Sequence, residues 1–79
     1  MSNLEKYNEA FIESFGIEEE VLKNNLKYNT IEEWDSIGHM SLMAALEDAF
    51  DIMLETEDII EFSDYEKGKE ILKKYDVEI

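Results

Sequence analysis

Three stretches of this 79-residue chain repeat apolar residues at the spacing of an α-helix, each bounded by residues that start or stop one. That period leaves little room for a sheet, because a half-buried strand needs apolar and polar residues in alternation. The first stretch, about Leu4 to Phe15, places Leu4, Tyr7, Phe11 and Phe15 on one side. It opens on a capping box, Ser2 with Glu5, and stops at Gly16, a residue that easily adopts the left-handed cap. The second, Ser36 to Asp51, groups Leu42, Met43, Leu46, Ala49, Phe50 and Met53 when wound at about 100° per residue. The last, about Asp64 to Tyr75, opens on a second capping box, Ser63 with Glu66, and presents Tyr65, Gly68, Ile71, Leu72 and Tyr75. Its Lys69, Lys73 and Lys74 lie towards the negative end of the helix dipole. Gly68 costs about 1 kcal/mol of helix propensity against alanine, which a close helix crossing offsets.

Between these stretches a short helix is expected around Glu57 to Glu61. It opens at Thr56, with Glu57 and Asp58 in its first turn, and contributes Ile59, Ile60 and Phe62. Ile17 to Asp35 scatters Val21, Leu22, Leu26, Tyr28, Ile31 and Trp34 at no single period. It reads as a loop pinned across the helices, with one turn near Glu19 to Lys23 and turn positions at Asn24-Asn25 and Asn29-Thr30. There is no proline, repeat or internal linker. The expected fold is all-α: a small bundle of three longer helices and one short one, with residues 1–79 forming a single domain.

Charge narrows the function. The net charge of -14 repels nucleic acid and anionic membrane surfaces, so basic protein partners are expected. No Lys or Arg stands between Lys27 and Lys67, whereas twelve carboxylates do. Cysteine is absent, which removes disulfides and thiolate metal ligands. No apolar run reaches the roughly 18 residues of a membrane span, and Met1 to Glu5 lacks the pattern of a signal peptide. A cytoplasmic monomer is therefore expected.

Within the acidic middle, Trp34-Asp35-Ser36-Ile37-Gly38-His39-Met40 sets a serine hydroxyl at the mouth of the second helix. Serine needs a nearby base to become a nucleophile, and His39 is the sole histidine, with no third member of a triad identified. Attachment of a group is the better use, because a phosphate ester at Ser36 meets free amides and the positive end of the helix dipole. Asp35 also suits the helix cap, and His39 lies at the edge of the core stripe, where it packs and bonds to the loop. Gly38, a poor helix former in the first turn, lets a partner approach closely. On the face away from the core lie Ile37, Met40, Ala44, Glu47 and Asp48, a small apolar patch within carboxylates that suits a partner with a basic rim.

The motif and its setting resemble the acyl carrier protein family, whose members carry 4'-phosphopantetheine on the serine of an Asp-Ser-Leu-like signature. Here that signature is Asp35-Ser36-Ile37, and the resemblance extends over nearly the whole chain through the helix order, the acidity and the Ala45-Leu46-Glu47-Asp48-Ala49-Phe50-Asp51 run. It implies a non-enzymatic carrier, modified at Ser36 by a phosphopantetheinyl transferase and holding an acyl or aminoacyl group as a thioester. Asp35 would help position the transferase's metal ion. Acyl-loading and acyl-transferring enzymes would recognise Ile37, Met40, Ala44, Glu47 and Asp48, and Met43, Leu46 and Met53 are candidates to line a space that shelters the cargo. Members that serve fatty acid synthesis commonly have acidic residues where this chain has Gly38 and Ser41. Trp34 and the Gly38-His39 pair look more like a specialised branch serving surface polysaccharide or secondary metabolite assembly. The rival reading is an unmodified acidic helical adaptor for a basic protein. A calcium sensor lacks its loop pattern, and a hydrolase built on Ser36 ranks last.

Overall fold

The structure, a computed structural model, describes residues 2–79. Five helices follow in order: α1 (Asn3–Phe15), α2 (Glu19–Leu22), α3 (Ser36–Phe50), α4 (Thr56–Glu61) and α5 (Tyr65–Lys73). Three are long and two are short, so the expected bundle stands, with the turn near Glu19 formed as α2. Among the described residues the only strand-like pairing is a bridge between Lys27 and Asp64.

The first helix forms as its ends require. Ser2 Oγ accepts the Glu5 amide at 3.1 Å, Glu5 reaches back to the Ser2 amide at 3.3 Å, and Gly16 takes φ +63 as the C-cap. Tyr7, Ala10, Phe11 and Phe15 are buried, and α1 packs chiefly on α3. Leu4, expected on the stripe, is instead exposed in the first turn, at the edge of an open groove that Leu22, Leu26 and Tyr65 also line.

In the later helices the expected Ser63 cap and the core place expected of Ile60 do not form. Ser63 does not cap α5. Asp64 does, accepting the Lys67 amide at 2.6 Å, while the Ser63 carbonyl accepts the Tyr28 amide at 2.8 Å. Helix α4 starts at Thr56 with Glu57 and Asp58 in its first turn, as expected, and the Glu55 side chain ahead of it makes no capping bond. Ile60 points to solvent, and α4 joins the core through half-buried Ile59 and through Phe62 just past its end.

The end of α3 corrects the core assignment of Met53. Asp51 adopts the left-handed conformation at φ +53, and the Ile52 amide returns to the Glu47 carbonyl at 3.0 Å, which closes the helix and turns the chain. Helical spacing no longer applies beyond that point, so Met53 is 83% exposed and Leu54 is buried in its place. An aspartate at this cap is doubly unfavourable, since left-handed backbone favours glycine and the helix's negative end disfavours an anion. Asp51→Gly is therefore expected to raise stability by about 0.5–1 kcal/mol, and thermal unfolding at low ionic strength would show it. An unchanged or lower unfolding temperature would contradict this account of the cap.

The long connection between α2 and α3 is held by its own backbone bonds as well as by buried Leu26 and Trp34. Asn25 and Asn29 take positive φ, and Thr30 Oγ1 both accepts the Lys27 amide at 3.0 Å and donates to its carbonyl at 2.6 Å. The Leu26 carbonyl accepts the Tyr65 amide at 2.9 Å, which ties the loop to the start of α5. Beneath it, Tyr7, Phe11, Phe15, Trp34, Phe62 and Tyr65 form a continuous aromatic core with ring centroids 5.0–6.5 Å apart. The Tyr7 hydroxyl donates to the Tyr65 carbonyl at 2.6 Å, and burial pushes this phenol's pKa far above its ordinary value. Gly68 makes this crossing possible: a Cβ there would overlap the Tyr7 hydroxyl and the Phe62 ring.

Candidate functional site

Ser36 is the first residue of α3 and is exposed. Asp35 precedes it as the N-cap, its Oδ1 accepting the Gly38 amide at 2.8 Å. The amides of the helix's first turn lie ahead of any intrahelical acceptor, so the serine hydroxyl stands where donors and the positive dipole end converge. One Asp35 oxygen is thus engaged in the cap, and the carboxylate remains exposed beside the serine.

His39 has a defined structural task. The Trp34 indole Nε1–H, which can only donate, bonds to His39 Nδ1 at 2.9 Å, so the ring proton sits on Nε2 and donates to the Ile59 carbonyl at 2.7 Å. The imidazole therefore links the loop, α3 and α4. With both nitrogens committed, neither is free to take a proton from Ser36.

Gly38 differs from the expectation that it leaves room for another molecule. A Cβ at Gly38 would overlap the Glu33 carbonyl oxygen and come to 3.3 Å from the Phe15 ring. The group that approaches closely is the chain's own loop.

The remaining site residues do not form one uniform face. Ile37 is 79% exposed and Met40 55% exposed, and both stand within one turn of Ser36. An open groove of about 410 Å³ begins at Ser36 and continues along Met40, His39, Tyr28, Phe62 and the α4 residues Ile59 and Ile60. Ile60, itself 75% exposed, extends the apolar patch onto α4. Ala44 is exposed further along α3. Glu47 is only half exposed, and its Oε2 accepts the Leu54 amide at 2.9 Å, stabilising the turn after α3. Asp48 borders a different groove, between α1 and α3, with Lys6, Glu9 and Glu13.

Sequence reasoning missed the α4 contribution to the groove, because Ile59 and Ile60 read as core residues of a short helix. It also missed how α4 is held. Asp58 is buried, accepts from Lys74 Nζ at 3.0 Å and from the Tyr75 hydroxyl, and that hydroxyl in turn accepts the Glu55 amide at 2.9 Å. The Tyr75 and Lys74 donors hold the Asp58 carboxyl below its ordinary pKa. An acidic residue in a helix's first turn carries no signal in sequence that distinguishes this clasp from a favourable dipole contact. Among the described residues no three carboxylates or histidines gather as a metal site, and no helix is long and apolar enough to cross a membrane. Compared with protein-family models, curated proteins and solved structures, the chain matches none.

Proposed function

We propose that the chain is a cytoplasmic, monomeric carrier protein without catalytic activity of its own, whose Ser36 bears 4'-phosphopantetheine and whose cargo is an acyl or aminoacyl thioester. The observation that carries this reading is an exposed serine at the start of a 15-residue helix, opening directly onto an apolar groove, with the nearby imidazole already committed elsewhere. These residues fit the group. The hydroxyl is accessible, the helix start favours a phosphodiester anion, and the groove offers an apolar wall for an arm. When bound, phosphopantetheine supplies the thiol that holds the cargo. Ile37, Met40 and Ala44, joined by Ile60, form the surface that partner enzymes recognise, with Asp35, Glu47 and Asp48 supplying negative charge for a basic rim.

Co-expression with a broad-specificity phosphopantetheinyl transferase and intact-mass measurement tests the reading. Addition of one phosphopantetheinyl group is expected, and Ser36→Ala abolishes it. No addition, or one that survives the substitution, refutes it. If Ser36→Ala stays unmodified yet retains partner binding, and charge reversal at Asp48 removes that binding, the acidic-adaptor reading is favoured instead.

Asp35 allows its two roles to be separated. Asparagine caps a helix about as well as aspartate, whereas alanine forfeits about 0.5–2 kcal/mol. Asp35→Asn is expected to leave the unfolding temperature nearly unchanged but to slow modification of Ser36 at least tenfold, measured as initial rate by mass. Equal loading rates for Asp35→Asn and the parent would leave Asp35 with the cap alone.

A further inference from the structure

We infer that the group carried on Ser36 stays in the open groove between α3 and α4 and does not enter the helical core, so that the chain serves short acyl or aminoacyl groups in preference to long fatty acyl chains. This rests on the carrier reading above. The seam between α3 and α4 beside Ser36 is closed: His39 and Phe62 line it, and Trp34 packs against both. Trp34 is fully buried behind it, its indole nearly coplanar with the His39 ring, 16° between planes and centroids 6.2 Å apart, edge to edge as their N–H···N bond requires. The same indole meets Phe11 at 5.5 Å and Phe62 at 6.5 Å, and Phe62 is itself a wall of the groove.

Opening the seam would break both His39 hydrogen bonds. The indole N–H and the Ile59 carbonyl would then face an alkyl chain that offers them nothing. Close-packed interiors do not admit added methylenes without displacing side chains, and those displaced here are large rings with satisfied polar atoms. Of the flexible side chains expected to line a cargo space, only Met53 has left the core. Met43 and Leu46 are fully buried in the core cluster, and Met53 lies on the surface.

The experiment compares holo protein loaded at Ser36 with butyryl-, octanoyl- or tetradecanoyl-phosphopantetheine, each confirmed by intact mass. Unfolding temperature, retention on a hydrophobic column and emission of Trp34, the chain's single tryptophan, are read for each. An exposed cargo gives unfolding temperatures within about 2 °C of one another, unchanged Trp34 emission, and retention that rises with chain length. A sheltered cargo gives an unfolding temperature about 5 °C or more higher for tetradecanoyl than for butyryl, a shifted emission and nearly constant retention, which overturns the inference while leaving the carrier reading intact. Failure to add any group at Ser36 overturns both, and the mass spectrum tells the two failures apart.

Discussion

Gly38→Ala is expected to lower the unfolding temperature by about 10 °C, even though alanine is the better helix former by about 1 kcal/mol. The added methyl would overlap the Glu33 carbonyl, a backbone group of the loop segment that also carries buried Trp34 and the cap residue Asp35. A flexible side chain can swing aside at little cost, but a backbone oxygen can move only if its peptide and neighbours move too. Overpacking of this kind costs about 1–3 kcal/mol and occasionally more, and the immovable partner places Gly38 at the upper end. The net loss is then about 2 kcal/mol, and a domain of this size loses about 4–8 °C per kcal/mol. Because the displaced segment holds the Trp34–His39 bond, Trp34 emission should shift in the folded variant as well. An unfolding temperature equal to or above the parent's would mean that the loop is free to retreat and that Gly38 is there for another reason.

Tyr75→Phe is the second substitution with a large expected effect, since removing one oxygen undoes two bonds. Buried Asp58 loses its neutral donor, and the Glu55 amide at the uncapped start of α4 loses its acceptor. A stability loss of about 1–3 kcal/mol follows, read from chemical denaturation at pH 7. Exposed Lys74 offers little compensation, because solvent screens it. The role of Asp58 itself is visible in pH dependence. Its folded pKa lies below the unfolded value, so its contribution is complete above the ordinary carboxylate pKa of about 3.9 and disappears as pH falls through the lower folded value. The parent is accordingly expected to exceed Asp58→Asn in stability near neutrality, and the gap should close below about pH 4. The remaining carboxylates act in the opposite sense between pH 7 and 4, as protonation relieves the repulsion of a chain with net charge -14, but they do so equally in both proteins. A gap that persists unchanged to pH 3 would sink the clasp.

Much of this architecture is legible in the sequence wherever a local rule decides it. The Ser2–Glu5 box, the Gly16 cap, the span of α3 and its Leu42, Met43, Leu46 stripe depend on spacing and on residues within one turn of each other. The same holds for the Asn25 and Asn29 turns, whose side chains tolerate left-handed backbone. Errors arise where two local rules compete or where a period ends. Ser63 and Asp64 can each cap a helix, and the backbone bond from Tyr28 to the Ser63 carbonyl belongs to the arrangement that gives the role to Asp64. Met53 follows the α3 wheel on paper, but the left-handed turn at Asp51 comes before it.

Around Ser36 the division is similar. The exposed hydroxyl, the Asp35 cap and the outward Ile37 and Met40 are consequences of their position in α3, which the pattern of one helix is enough to specify. What lies opposite them is not a property of that helix. The groove exists because α4 places Ile59 and Ile60 beside Met40, and α4 is held there by Asp58, Tyr75 and the His39–Ile59 bond, contacts that span 16 to 20 residues. The glycines separate the two kinds of information most clearly. Sequence marks Gly38 and Gly68 as poor helix formers, a local cost of about 1 kcal/mol each. Only the folded chain reveals what they are for, since the Glu33 carbonyl and the Tyr7–Phe62 pair approach them from elements distant in sequence or folded back upon them, and no local propensity encodes which atoms will arrive at a bare Cα.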